Sequence, residues 1–270
     1  MNRKAFVYNA DQQSILNSIH KELIESCAVC HGEGYLPKAK GVVVRCDCMI
    51  VFRYLKALVR AGIPSEYWYL DLDKLNIDVD VLENVKEYIG NIKSAAWQGI
   101  GLMFLGPNGI GKTSCQCIIG EYAVVSGFRV SYLTLSQYIQ MFQENSDAAV
   151  RAIQSTEFLL LDELDKAYMK SGSDYVSKKL FELLGYVGAP GPALITCTNW
   201  QIDEIKTKFG ISILSKLKRR VHILEIEGED YSERIQENLL ARLKRKIDYK
   251  HPAILKMANL MEEHSWKHGN

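Results

Sequence analysis

Eight consecutive residues constrain this chain more than any others: Gly106-Pro107-Asn108-Gly109-Ile110-Gly111-Lys112-Thr113. They fit G-x-x-x-x-G-K-[ST], a pattern that works only between a strand and a helix. Its glycines let successive backbone N–H groups curl around a polyphosphate. The positive end of the following helix faces the same anion. Lys112 adds a full charge for the β- and γ-phosphates, and the Thr113 hydroxyl suits Mg²⁺. The stretch from Gly106 to Ser114 is therefore the expected nucleotide-binding segment. Its flanks agree, because Gly101-Leu102-Met103-Phe104-Leu105 reads as a buried strand and Ser114 to Ser126 as a helix.

Four more apolar runs follow the same rhythm. They are Phe128 to Leu133, Phe158 to Leu161, Ala193 to Thr198 and Val221 to Ile226. Helical segments such as Ser177 to Tyr186 lie between them. Near-continuous apolar strands alternating with helices predict an α/β fold, a mostly parallel five-stranded sheet with helices on both faces. Upstream, Gly62-Ile63-Pro64 reads as the start of a linker. Val81, Leu82, Val85, Tyr88, Ile89 and Ile92 then predict one helix over Val81 to Ala96. Residues 231–258 read as helical, with Leu239, Leu240 and Leu243 as the apolar stripe and His251-Pro252 as an interruption. The expected division is 1–60, then 61–98 as linker and first helix, 99–230 as the core, and 231–270 as a C-terminal helical segment.

The 270 residues allow one large domain, or a medium one with an appendage. With 47% hydrophobic and 24% charged residues, the chain can bury a sizeable core. Its 33 Lys+Arg against 32 Asp+Glu exclude a uniformly basic nucleic-acid coat, though not a local patch. The first sixty residues hold nine basic and five acidic residues, a local charge of +4. No run of 18 apolar residues occurs, and Met1 to Ala10 lacks a signal-like apolar segment. The expectation is a cytoplasmic protein with no membrane partner.

Phe158-Leu159-Leu160-Leu161-Asp162-Glu163 complements the phosphate loop. An apolar strand ending in two acids puts Asp162 at the carboxyl edge of the sheet, where ligands bind in open α/β sheets. Asp162 can hold Mg²⁺, and Glu163 can orient and deprotonate an attacking water, which points to hydrolysis. Asp165 and Lys166 read as solvated residues at a helix start. The next strand ends in Thr196-Cys197-Thr198-Asn199, whose Asn199 can reach the γ-phosphate or the lytic water. The competing reading of Asn199 is a helix cap before Ile202.

The seven cysteines are an odd number without an export signal, which argues against a disulfide framework. Four fall within 22 residues: Cys27-x-x-Cys30 and Cys46-x-Cys48. Two close-spaced thiolate pairs suit a tetrahedral structural Zn²⁺, which would supply folding free energy to a small domain. His31 is an alternative fourth ligand. Cys115, Cys117 and Cys197 fall in expected helix or strand and read as packing residues.

Taken together, the cysteine knuckles, the Ala61-Gly62-Ile63-Pro64 linker, the phosphate loop, Leu-Leu-Leu-Asp-Glu and Thr-Cys-Thr-Asn resemble the DnaC/DnaI/IstB-type AAA+ ATPases. The resemblance covers roughly residues 20–235 and is nearest to phage or prophage replicative helicase loaders. It implies an AAA+ P-loop core behind a small N-terminal zinc-binding domain that grips a hexameric DnaB-like helicase. It also implies ATP bound between self-associated subunits, recognition of single-stranded DNA, and DNA replication as the setting. Alternatives within the resemblance are a transposition helper ATPase and a non-hydrolysing ATP-gated adaptor. Carried over by position, Gly106 to Thr113 hold the ATP phosphates, Asp162 and Glu163 serve Mg²⁺ and water, and Asn199 senses the γ-phosphate.

The chain departs from the family pattern in three places. Leu184 to Pro192 contains no arginine where relatives carry an Arg-Tyr pair. Ser215-Lys216-Leu217 stands where relatives present a trans-acting Ser-Arg-Leu, leaving Arg219 and Arg220 one helical turn on as substitutes. Ser232 follows Gly228-Glu229-Asp230-Tyr231 where relatives often have arginine. A transition-state arginine is worth about 10³-fold or more in rate, so these departures imply a slow, ATP-gated switch. Lys178-Lys179 and Arg242-Lys244-Arg245-Lys246 are candidate phosphate-backbone contacts. Tyr168, Lys170 and Tyr175 are candidates for a stacking track.

Overall fold

The computed structural model describes residues 9–68, 70–171, 173–227 and 252–267. They form two compact units: residues 9–68 with 252–267, and residues 70–227. The side chain of Lys170 and residues 228–251, with Ser232, the leucine stripe and the basic run from Arg242, lie outside the described residues.

The first unit begins with α1 (Ala10–His20), opened by a capping box in which Asn9 and Gln12 exchange side-chain and backbone hydrogen bonds. A π-helical turn, Lys21–Glu25, ends it. A short antiparallel hairpin follows, β1 (Tyr35–Pro37) with β2 (Val43–Arg45), registering Tyr35 opposite Arg45. Next comes α2 (Asp47–Ala61), whose buried Tyr54, Leu55 and Leu58 make the apolar stripe that holds the unit together. Gly62 closes α2 in the left-handed conformation (φ 76°), which an L side chain would resist. Ile63 then folds back, buried, and its carbonyl accepts from the indole N–H of Trp68 at 2.9 Å. The Gly-Ile-Pro segment is thus a packed helix cap. The C-terminal helix Pro252–Lys267 belongs to this unit, packs on α2, and ion-pairs Glu262 with Arg45 and Arg53. Pro252 is its first residue, a position where the missing N–H costs nothing.

The second unit opens with α3 (Val79–Gly90) and α4 (Ile92–Gln98), where the sequence predicts one helix. Gly90 and Asn91, both weak helix formers, break it: Asn91 leaves the helical region at φ −106°, ψ 19°. Then follow β3 (Gly101–Leu105), α5 (Lys112–Val125), β4 (Val130–Thr134), α6 (Leu135–Glu144), α7 (Ser146–Gln154) and β5 (Phe158–Asp162). Last come α8 (Leu164–Ser171), α9 (Ser173–Leu183), β6 (Ala193–Thr198), α10 (Ile202–Phe209), α11 (Ile211–Lys218) and β7 (Val221–Glu225).

The five strands from β3 to β7 form one sheet in the order β4-β5-β6-β3-β7, every pair parallel. Side chains alternate between its faces. Leu102, Phe104, Leu160 and Ile195 pack under α3, α4 and α5, while Met103, Leu105, Leu159 and Leu161 pack under the helices α6 to α11. Each fully buried Leu or Phe contributes about 1.5–3 kcal/mol. Burial on both faces explains why these strands read as continuous apolar runs. The order also brings the carboxyl ends of β3, β5 and β6 side by side, which creates the site.

Candidate functional site

The phosphate loop joins β3 to α5 at the carboxyl edge of the sheet. Gly106 has φ 136°, and a Cβ there would stand 2.3 Å from the Ile226 carbonyl oxygen, so no side chain fits. Lys112 opens α5 and is buried; its ammonium donates to the Pro107 carbonyl. Burial lowers the Lys112 pKa, with the nearby carboxylates of Asp165 and Asp162 acting against that shift. The ammonium is thus under-solvated, which favours an incoming polyanion. Thr113 Oγ1 donates to Asp162 Oδ2 at 3.0 Å, joining the loop to the end of β5.

Asp162 is buried and collects three donors: Thr113, the Tyr132 hydroxyl at 2.9 Å, and the Glu163 backbone N–H at 2.7 Å. Burial raises its pKa, and those hydrogen bonds pull the other way. A shielded carboxylate oxygen beside a threonine hydroxyl is chemistry a hard divalent cation such as Mg²⁺ accepts. Glu163 sits at φ 57°, a left-handed backbone that costs a non-glycine residue about 1–2 kcal/mol. Its carboxylate is ion-paired with Lys166 in the first turn of α8, and that bond raises the lysine's pKa.

Asn199 directly follows β6, and Gln201 caps α10, so Asn199 is not a helix cap. Its side-chain Nδ2 donates to Asp165 Oδ2 at 2.7 Å, and its backbone N–H donates to Asp165 Oδ1 at 3.3 Å. Asp165 is buried, which corrects its reading as a solvated helix-start residue; the donors at the end of β6 draw it inward. Lys166, its neighbour, is exposed as expected.

Arg219 and Arg220 precede β7, at the amino edge of the sheet. A five-residue strand separates them from the phosphate loop by roughly 16 Å, so they do not reach the phosphate loop of their own chain. The Arg220 guanidinium lies against Gly188. Lys216 donates to the Phe181 carbonyl at 3.3 Å, with its ammonium 3.6 Å from the centre of the Phe181 ring. Two candidate nucleic-acid contacts are used internally instead. Lys179 is buried against the Phe142 ring and bonds Glu182 at 2.8 Å, and Tyr168 packs edge-on to Trp200 and Phe209.

In the first unit, Cys27, Cys30, Cys46 and Cys48 have all four sulfurs within 4.8 Å of one another. Cys27 and Cys46 sulfurs lie 3.8 Å apart, and Cys30 and Cys48 sulfurs 3.5 Å apart. Tetrahedral zinc with bonds of about 2.3 Å requires sulfur pairs about 3.8 Å apart, so the donor set fits. His31 is not in the cluster. The Cys30 backbone N–H holds the Cys27 thiol down to about 7, whereas burial raises Cys46 and Cys48. The other three cysteines are buried packing residues; burial pushes Cys115 up to about 12.

The sequence matches the IstB-like ATP binding protein family over residues 87–241. The chain belongs to that family. An ATP-binding protein of insertion sequence IS5376 from Geobacillus stearothermophilus is 27% identical over 155 residues, covering 54% of this chain and 59% of the relative. The chain thus spans about 59% of that curated relative's length. Among solved structures, DnaI is 15% identical with a TM-score of 0.51, covering 62% of this chain and 93% of its own. A replication initiator DnaA bound to AMPPCP and single-stranded DNA is 17% identical with a TM-score of 0.51, covering 76% and 65%. At these identities the two structures show a shared fold, an α/β P-loop AAA+ core. Among the described residues, no helix is long and apolar enough to cross a membrane.

Three residues at this IstB-like site were not singled out from the sequence. Tyr132 reaches Asp162 because β4 neighbours β5. Buried Gln116 ties α5 to β6 by donating to the Ile195 carbonyl at 2.8 Å and accepting from the Cys197 thiol at 3.4 Å. Asp165 had one available signal, its place three residues after Asp162.

Proposed function

We propose that this IstB-like protein is an ATP-hydrolysing helicase loader that delivers a DnaB-like replicative helicase onto single-stranded DNA. The observation that carries this reading is the four-thiolate cluster, set in a unit separate from the ATP-binding core. In this reading Cys27, Cys30, Cys46 and Cys48 hold a structural Zn²⁺ and the first unit grips the helicase. ATP lies along Gly106 to Ser114, with Lys112 on its β- and γ-phosphates. Thr113 and Asp162 would hold Mg²⁺, which supplies charge neutralisation at the phosphates.

Glu163 takes the proton of a water that attacks the γ-phosphorus; the bond to the β-phosphate oxygen breaks, leaving ADP and phosphate. Asn199 senses the γ-phosphate. Arg219 or Arg220 act only in trans, from a neighbouring copy. The Lys166 contact to Glu163 and the lysine in place of the trans-acting arginine both support slow turnover.

The test is capture by immobilised protein in ATP, using purified DnaB-type helicase and purified IS21-type transposase as separate baits. Retention of the helicase, lost on removing the thiolate unit's metal, is expected. Retention of the transposase alone would replace this reading with a transposition helper, which the insertion-sequence relative favours. Helicase delivery that persists in Glu163→Gln, with hydrolysis abolished, would make the protein an ATP-gated adaptor.

A further inference from the structure

Asp165 is buried in the second unit, and the mechanism above gives it no role. Its carboxylate takes three donors from two adjacent residues at the end of β6. Oδ1 accepts from Thr198 Oγ1 and from the Asn199 backbone N–H, each at 3.3 Å, and Oδ2 accepts from Asn199 Nδ2 at 2.7 Å. The last bond is the shortest of the three and the one that acts on the functional group.

A carboxylate can only accept, so the Asn199 carboxamide must turn its nitrogen toward Asp165. That decides an orientation which the carboxamide's near-symmetric shape leaves open. Nδ2 carries two hydrogens; one serves Asp165 and the other remains for an anion. Without Asp165 the carboxamide is free to turn its oxygen, an acceptor, to the same place, where it would repel a phosphate. The charge of Asp165 also reaches Lys112, which puts it within range of the loop that holds the phosphates.

We propose that Asp165 is a positioning residue that fixes the Asn199 carboxamide with an N–H for the γ-phosphate, and so sets the preference for a triphosphate over a diphosphate. This rests on the reading of Asn199 as the γ-phosphate sensor. Asp165 itself touches no nucleotide. A purely structural role, tying α8 to β6, would change stability and leave that preference alone.

The experiment is calorimetric binding of ADP and of a non-hydrolysed ATP analogue to the full chain with Mg²⁺. The readout is the ratio of the two affinities. Asn199→Ala should shrink the ratio by on the order of tenfold or more, the worth of a hydrogen bond to a charged group. Asp165→Ala should shrink it to a similar degree, with ADP affinity unchanged, and the double variant should lose no more than either single one. Asp165→Asn keeps one acceptor oxygen, which the Asn199 backbone N–H and Thr198 hold, and turns an NH2 toward the Asn199 carboxamide, so it should shrink the ratio as Asp165→Ala does.

A folded Asp165→Ala with the wild-type ratio overturns the proposal, as does an equal loss for both nucleotides. If Asp165→Ala does not fold, Asp165→Glu keeps the charge but moves the acceptor by one methylene. It must still shrink the ratio, and a wild-type ratio there also overturns the proposal. Wild-type protein that binds neither nucleotide would sink the ATP-site reading itself. A normal ratio in Asn199→Ala would sink the sensor role and this inference with it. A loss in Asn199→Ala without one in Asp165→Ala removes Asp165 alone.

Discussion

Both units bury an apolar core, but the sheet of the second and the cysteine knuckle of the first are built differently. In the second, five parallel strands are covered on both faces, and β3, β5 and β6 are buried along their whole length. In the first, the strands are three residues long and expose Tyr35 and Val43. The small cluster beside them has Ile24 with Cys30, Cys46 and Cys48 at its centre, edged by the partly buried Leu23, Leu36, Met49 and Phe52. A two-stranded hairpin of that size does not stand alone in water. Apolar area therefore carries the sheet, while the knuckle, on the zinc reading proposed above, relies on a metal held by its thiolates.

That contrast can be broken outright by metal removal. On the zinc reading, stripping metal with a strong chelator should cost the first unit on the order of 10 kcal/mol, and Cys30→Ser, which leaves three thiolates, a smaller amount. Region-resolved hydrogen exchange should show residues 27–48 opening while the sheet of the second unit keeps its protection. Equal opening of both units would show that they are not stabilised separately. The reverse change is Leu160→Ala on the fully buried β5. It should destabilise the second unit by roughly 2–5 kcal/mol in urea unfolding, with metal stoichiometry unchanged.

Lys112→Ala sharpens the comparison by separating binding from folding. Nucleotide affinity should fall about a hundredfold, near 2.7 kcal/mol, by calorimetry. The melting temperature without nucleotide should hold or rise, because burial already disfavours the Lys112 charge. A large drop in melting temperature would mean that the lysine is structural. The smallest effect is expected from Glu262→Ala. It removes the partner of the half-exposed Arg45 and Arg53 and should cost the first unit about 1 kcal/mol or less.

Much of this was readable along the chain because the signals are local. The phosphate loop needs only neighbours in sequence, since glycine torsions and a helix start make the anion site. The central strands β3, β5 and β6 declare themselves because burial on both faces favours apolar residues at nearly every position, and the edge strands β4 and β7 keep enough of the same pattern to be read. The cysteine spacing carries its own ligand geometry, and the four sulfurs do converge.

Other features depend on residues far apart in the chain. That Tyr132 meets Asp162 is a consequence of β4 lying beside β5, which no local pattern encodes. Asp165 looks like any acid at a helix start until β6 arrives alongside with Thr198 and Asn199. The helix Pro252–Lys267 joins residues 9–68 across the whole ATP-binding unit of the chain. Arg219 and Arg220 lie at the opposite edge of the sheet from the Gly106–Thr113 loop because every strand of a parallel sheet runs the same way. Torsional preference and side-chain chemistry are properties of a short segment, and those the sequence settles. Which carboxylate loses water, and to which donors, depends on how the strands are ordered, and only the folded chain decides that.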